Sequence, residues 1–203
     1  GRTVAHAPPL LVSLGLAGRS YQTAFADLEL FGNVWIDGVR EVAQGAKGVL
    51  GHIYGKKQSL QGWTWVHAHA GDVVFEGLGA RFLSRPVWPV ASFVVWAGGL
   101  QLRIPAYQAR TSKVGRTTWE FAARCGEGSI EGLATLPDTG AALVCYEGPN
   151  GARTYCRNAR FGSLEARVKF AAAGVERDLK TTQSCVEIAA RQAPEGVELT
   201  PVS

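Results

Sequence analysis

The chain has 203 residues, 46% of them hydrophobic, enough for one large domain or two small ones with a sizeable core, and this excludes a disordered chain. Twenty-one Lys and Arg against 17 Asp and Glu give a formal charge of +4, but the basic residues are scattered and form no stripe of the kind nucleic acid needs. No apolar run approaches the about 18 residues of a membrane helix, and the patch over 8–16 is too short and lacks a cleavage pattern.

Residues 1–20 read as an N-terminal extension. With Gly at position 1 and no Met in the chain, the start reads as a boundary or cleavage scar that could have followed an export signal, so localisation is weakly bounded, with a cytoplasmic setting favoured. Val34-Trp35-Ile36 and Val39-Arg40-Glu41-Val42 flank Asp37-Gly38, whose residues supply the positive φ angles of a type I′ turn, so a hairpin is predicted there. The strands of 21–48 lead into a Gly-rich turn instead of closing anything, and can be read as the tail of a preceding barrel. Gly55-Lys56-Lys57-Gln58 is a solvated turn.

Further along, turn signals recur at short intervals between segments rich in Val, Thr, Phe, Trp and Tyr, the pattern of an antiparallel sandwich or barrel. Residues 117–123 and 141–146 read as strands. Cys145 and Cys156 flank Gly148-Pro149-Asn150-Gly151, and one register of that hairpin, with Asn150-Gly151 as the turn, would set them opposite each other; other registers separate them. The four cysteines show no CxxC spacing, so a zinc knuckle or thioredoxin-type site has no support. Leu164, Ala166, Val168 and Phe170 alternate with Glu165, Arg167 and Lys169, a strand with one dry and one wet face. Residues 175–191 carry both helical and strand spacing, and the run 184–188 favours a strand. The expected organisation is a single barrel domain over 21–193 followed by a tail, 194–203.

The richest chemistry lies in Trp63-Thr64-Trp65-Val66-His67-Ala68-His69. On a strand, alternate side chains face opposite ways, so Trp63, Trp65, His67 and His69 share one face and Thr64, Val66 and Ala68 the other. Three readings compete. The four are core packing with ordinary hydrogen bonds; or His67 and His69 join His52 as metal ligands; or the indoles wall a ligand pocket in which a histidine or carboxylate moves a proton. A cupin-type metal motif is not matched, since Gly62 is too close to the first histidine and Glu76 too far from the second. Asp72 and Glu76, just beyond the strand, become proton donors if burial raises their pKa values, and are otherwise surface acids, the more frequent case.

Gly32-Asn33-Val34-Trp35-Ile36-Asp37-Gly38, Gly48-Val49-Leu50-Gly51-His52-Ile53-Tyr54-Gly55, Trp63-Thr64-Trp65-Val66-His67 and the later Phe75 together resemble the lipocalin-like superfamily of carotenoid 1,2-hydratases, tocopherol cyclases and Diels-Alderases. Cys145-Tyr146-Glu147-Gly148-Pro149-Asn150-Gly151 and Tyr155-Cys156-Arg157-Asn158 are similar to the closing hairpin of that family's second barrel. The resemblance implies an all-β, antiparallel lipocalin-like (calycin) β-barrel. It also implies a cofactor-independent cyclase, isomerase or hydratase acting on a large hydrophobic small molecule held in a barrel pocket. His52 and His67 are the implied catalytic residues, with Tyr54, Trp63, Trp65 and His69 binding substrate. A non-catalytic lipocalin-like carrier and a His-ligated metalloenzyme are the alternatives. The expected partners are the hydrophobic ligand and a second barrel or a second copy of the chain, with no nucleic acid and no transmembrane segment.

Overall fold

The computed structural model describes residues 2–6, 20–54, 60–82, 90–148 and 151–193. These residues are almost entirely antiparallel β-structure and contain no α-helix, so none is long and apolar enough to cross a membrane. The chain divides into two compact units, Gly1–Lys56 and Lys57–Ser203.

The first unit is a three-stranded sheet in the order β1 (Val4–Ala5), β2 (Ser20–Ile36) and β3 (Val39–Tyr54). Asp37 and Gly38 adopt φ angles of 50° and 80°, so the predicted type I′ turn joins Ile36 to Val39. The strands it joins run far beyond the predicted ones, to 17 and 16 residues. Gly45, at φ +69°, stands where the register shifts beside Leu30 and Phe31, a bulge that a side chain would strain. Most of the exposed large hydrophobics among the described residues lie on this ribbon, including Phe31, Val34, Trp35, Ile36 and Val39.

The second unit is one sheet of ten strands rolled into a nearly closed barrel, consistent with the lipocalin-like architecture. Its strands are β4 (Leu60–Ala70), β5 (Val73–Phe82), β6 (Val90–Ala97), β7 (Leu100–Ile104), β8 (Ala109–Val114), β9 (Thr118–Cys125), β10 (Gly128–Thr135), β11 (Ala142–Glu147), β12 (Arg153–Phe170) and β13 (Val175–Ala190). They follow the order β7-β6-β5-β4-β13-β12-β10-β9-β8, with β11 beside β12. The two ends of the sheet approach each other where the Cys125 thiol of β9 reaches the Arg103 carbonyl of β7 at 3.8 Å. The 175–191 segment is the strand β13. The predicted alternation of β12 holds, with Leu164, Ala166, Val168 and Phe170 buried and Glu165, Arg167 and Lys169 exposed.

β12 bends at Gly162, where the register slips on both sides; a Cβ there would lie 2.9 Å from the Thr135 carbonyl and closer still to Val186. The bend lets the strand pair with β11 before it and with β10 after it. Cys145 stands opposite Tyr155 and Cys156 opposite Val144, so the hairpin adopts one of the registers that separates the two thiols, and all four cysteines are free.

The barrel interior is filled by rings. Phe93 stacks on Trp119 with centroids 5.6 Å apart, and Phe121 lies 4.8 Å from Phe93 and 5.8 Å from Phe75. Trp119 donates its indole N–H to Ser112 Oγ at 3.0 Å, which satisfies the polar atom of that ring. Across from it, β5 carries glycines. A Cβ on Gly77 would lie 2.9 Å from the Phe93 ring, and one on Gly79 would lie 3.1 Å from Trp119. The small residues on β5 are therefore what admits the large ones on β9.

Candidate functional site

The parity predicted for β4 is the parity observed. Thr64, Val66 and Ala68 are buried, and Val66 and Ala68 belong to the barrel core with Phe75, Phe93 and Trp119. Trp63, Trp65, His67 and His69 therefore occupy the outward face of the barrel wall. That face is not an ordinary wet one, since Trp65 is 9% exposed and His67 only 3%.

Strand pairing sets their neighbours. His67 stands opposite Glu76 of β5 and opposite Cys185 of β13, while Trp65 stands opposite Glu187 of β13. Glu76 is completely buried, an unusual place for a carboxyl group unless it is held by partners. The Trp65 indole N–H donates to its Oε1 at 3.3 Å, and its Oε2 lies 3.6 Å from His67 Nδ1, an ion-pair distance too long for a hydrogen bond. The Trp65 and His67 rings are stacked at 5.9 Å, and His67 Nε2 lies 3.1 Å from His69 Nε2. With the Nδ1 proton assigned toward the carboxyl group, His67 Nε2 presents its lone pair to a His69 N–H. Glu76, His67 and His69 thus lie in a row backed by an indole, with the two imidazoles hydrogen-bonded to each other and the 3.6 Å step from His67 to Glu76 not closed by a hydrogen bond.

A second polar group lies beside it. Glu187 Oε2 accepts from the Trp63 indole N–H at 2.9 Å, and Oε1 accepts from the Asn158 amide of β12 at 2.7 Å. The Trp63 ring packs 5.7 Å from Tyr146 of β11. Burial raises the Glu187 pKa above the usual carboxylate range, against the opposing pull of its two hydrogen bonds. The same burial, with the Glu187 charge nearby, pushes the Tyr146 phenol up to about 12 and raises the Cys156 thiol strongly.

Four of the six candidate residues are thus brought together. His52 is exposed on β3 opposite Gln22, in the other compact unit. Tyr54 ends β3, and its side chain lies outside the described ones. Asp72 is exposed in the β4–β5 turn, whereas Glu76 lies inside the strand that follows it. Sequence reasoning missed Glu187, Asn158 and Tyr146. Tyr146 and Asn158 entered only through the resemblance of their hairpin, with no role attached, and the only signal for Glu187 is the alternation of 184–188, which puts it on a polar face without saying that β13 pairs with β4. Among the described residues, no group of three His, Cys, Asp or Glu side chains converges as metal ligands would.

No protein-family model matches the chain, and neither a curated protein nor a solved structure matches it significantly.

Proposed function

We propose that the protein is a cofactor-independent cyclase, isomerase or hydratase that moves a proton on a large hydrophobic small molecule, in the manner of the lipocalin-like carotenoid hydratases and tocopherol cyclases. The observation that carries this reading is the hydrogen-bonded His67–His69 imidazole pair set against Trp65, with the buried Glu76 beside it. A barrel needs no buried carboxyl–imidazole pair to fold, because desolvating such groups costs more than an apolar pair of the same size. An imidazole with a fixed partner is a competent proton carrier near neutral pH. The indole faces of Trp63 and Trp65 stabilise positive charge developing on an alkene, by about 2 kcal/mol when dry.

The ligand is held against the outward face of β4, since the rings of Trp119, Phe93 and Phe121 fill the space behind that strand. The same packing weighs against a lumenal carrier. Incubation with an isoprenoid polyene in D2O tests the reading, with carbon-bound deuterium read by mass spectrometry and binding read by quenching of tryptophan fluorescence. The wild type is expected to incorporate deuterium, and His67→Gln to lose about 10²- to 10⁴-fold in rate while quenching persists. Quenching without incorporation in the wild type would mean a carrier and would sink the enzymatic reading.

A further inference from the structure

Two carboxyl groups flank Trp65, on the strands to either side of β4, and their surroundings differ in kind. Glu76 of β5 faces an imidazole, accepts from the Trp65 indole and has no exposed surface, so it does not meet a substrate directly. Glu187 of β13 is half-buried beside the half-buried Trp63, so it can meet one. Its hydrogen-bond donors, an indole N–H and a primary amide, are neutral and come from two different strands, β4 and β12. These donors fix the carboxyl group in place and favour its ionised form, but they carry no full positive charge and burial outweighs them. Where two carboxyl groups of one site have environments that separate their proton affinities, the roles of acid and base separate with them.

Resting on the proposed function, we infer that Glu187 is the catalytic acid of the site, the group that delivers the proton to the substrate alkene, and that His67, positioned by Glu76, is the base. In the hydratase form of the reaction, the Glu187 O–H proton forms a new C–H bond with the alkene π pair and leaves a carbocation at the other carbon, against the Trp63 and Trp65 faces. A water oxygen forms the C–O bond, and its proton passes to the hydrogen-bonded His67–His69 imidazole pair. Solvent returns a proton from His67 to the Glu187 carboxylate, so the sum is addition of water and no oxidant or reductant is consumed. In ring closure, a second double bond of the substrate replaces water as the donor of the electron pair, and His67 removes the proton that the product loses. The elevated Glu187 pKa, caused chiefly by burial, agrees with this assignment. The other titratable groups facing Glu187 are Tyr146 of β11, Cys156 of β12 and Cys185 on its own strand; burial raises all three, so none of them supplies a cation.

The test has two arms on the intact protein. In the first, ¹³C-carboxyl glutamate labelling and NMR follow the titration of Glu187, identified by the resonance missing from Glu187→Gln; it is expected to titrate above the ordinary glutamate range, and titration at or below that range would overturn the proposal. In the second, deuterium incorporation from D2O into an isoprenoid polyene is measured for wild type, Glu187→Gln, Glu187→Asp and His67→Gln. Glu187→Gln is expected to fall at least about 100-fold, with Glu187→Asp recovering part of the loss and following the acid's titration in its pH profile. Wild-type turnover in Glu187→Gln alongside a silent His67→Gln would overturn the acid and leave the function standing. Absence of turnover in the wild type would overturn the function itself and the acid with it.

Discussion

The two faces of β4 are built from one stretch of seven residues and do opposite work. Inward, Thr64, Val66 and Ala68 are small and leave room for rings contributed by other strands. Outward, Trp63, Trp65, His67 and His69 are large, polar-tipped and tied to carboxyl groups on both neighbouring strands. The inner face is organised by volume and the outer face by polar contacts between rings and carboxyl groups. Damage to each should therefore be read by a different instrument: stability for the first, rate and pH dependence for the second.

The largest stability loss is expected from Trp119→Ala, about 3–5 kcal/mol in denaturant unfolding, because the variant leaves a cavity among Phe93, Phe121 and the β5 glycines. A loss as large from His67→Gln would break the comparison, since the outer face would then be core as well. Gly79→Ala attacks the same packing from the other side. Its new methyl group meets Thr64 Oγ1 at 2.4 Å and Trp119 at 3.1 Å, and the expected cost is about 1–3 kcal/mol; an unchanged unfolding midpoint would show that β5 can retreat from the rings.

The outer face gives a smaller signature, and it depends on pH. A carboxyl group whose folded pKa is raised contributes stability that is fully present below its unfolded pKa and is lost as pH rises through the folded value. Wild type should therefore lose stability relative to Glu187→Gln over that window, by at most about 1.4 kcal/mol per pH unit. Unfolding midpoints that run parallel for the two proteins across the window would remove the case for a perturbed Glu187. Smallest of all, Trp35→Ser, on the exposed turn end of the hairpin, should change stability by no more than about 0.5 kcal/mol. A cooperative loss on that substitution would mean that the ribbon tip is already engaged.

What could be read from the chain follows the range of the interaction. The Asp37-Gly38 turn, the two-faced strand 164–170 and the parity of 63–69 are local consequences of backbone geometry and alternation, and all are present in the structure. The lengths of β2 and β3 were less legible, because Gly45 and the other register shifts interrupt their alternation. The Cys145–Cys156 relation was undecidable from sequence, as a one-residue change of register separates opposite from diagonal. Glu187 could not be found at all. Its place beside Trp63 depends on β13 lying beside β4, and no local pattern records which strands become neighbours.

The Trp63–Glu187 hydrogen bond links residues 124 positions apart, across the seam where β13 meets β4. The seam joins the first and last strands of the second unit, so its closure spans almost the whole of that unit. Loop-closure entropy makes such distant pairings slow to form. The Trp63–Glu187 hydrogen bond is thus a reporter of whether the wall between β13 and β4 has closed.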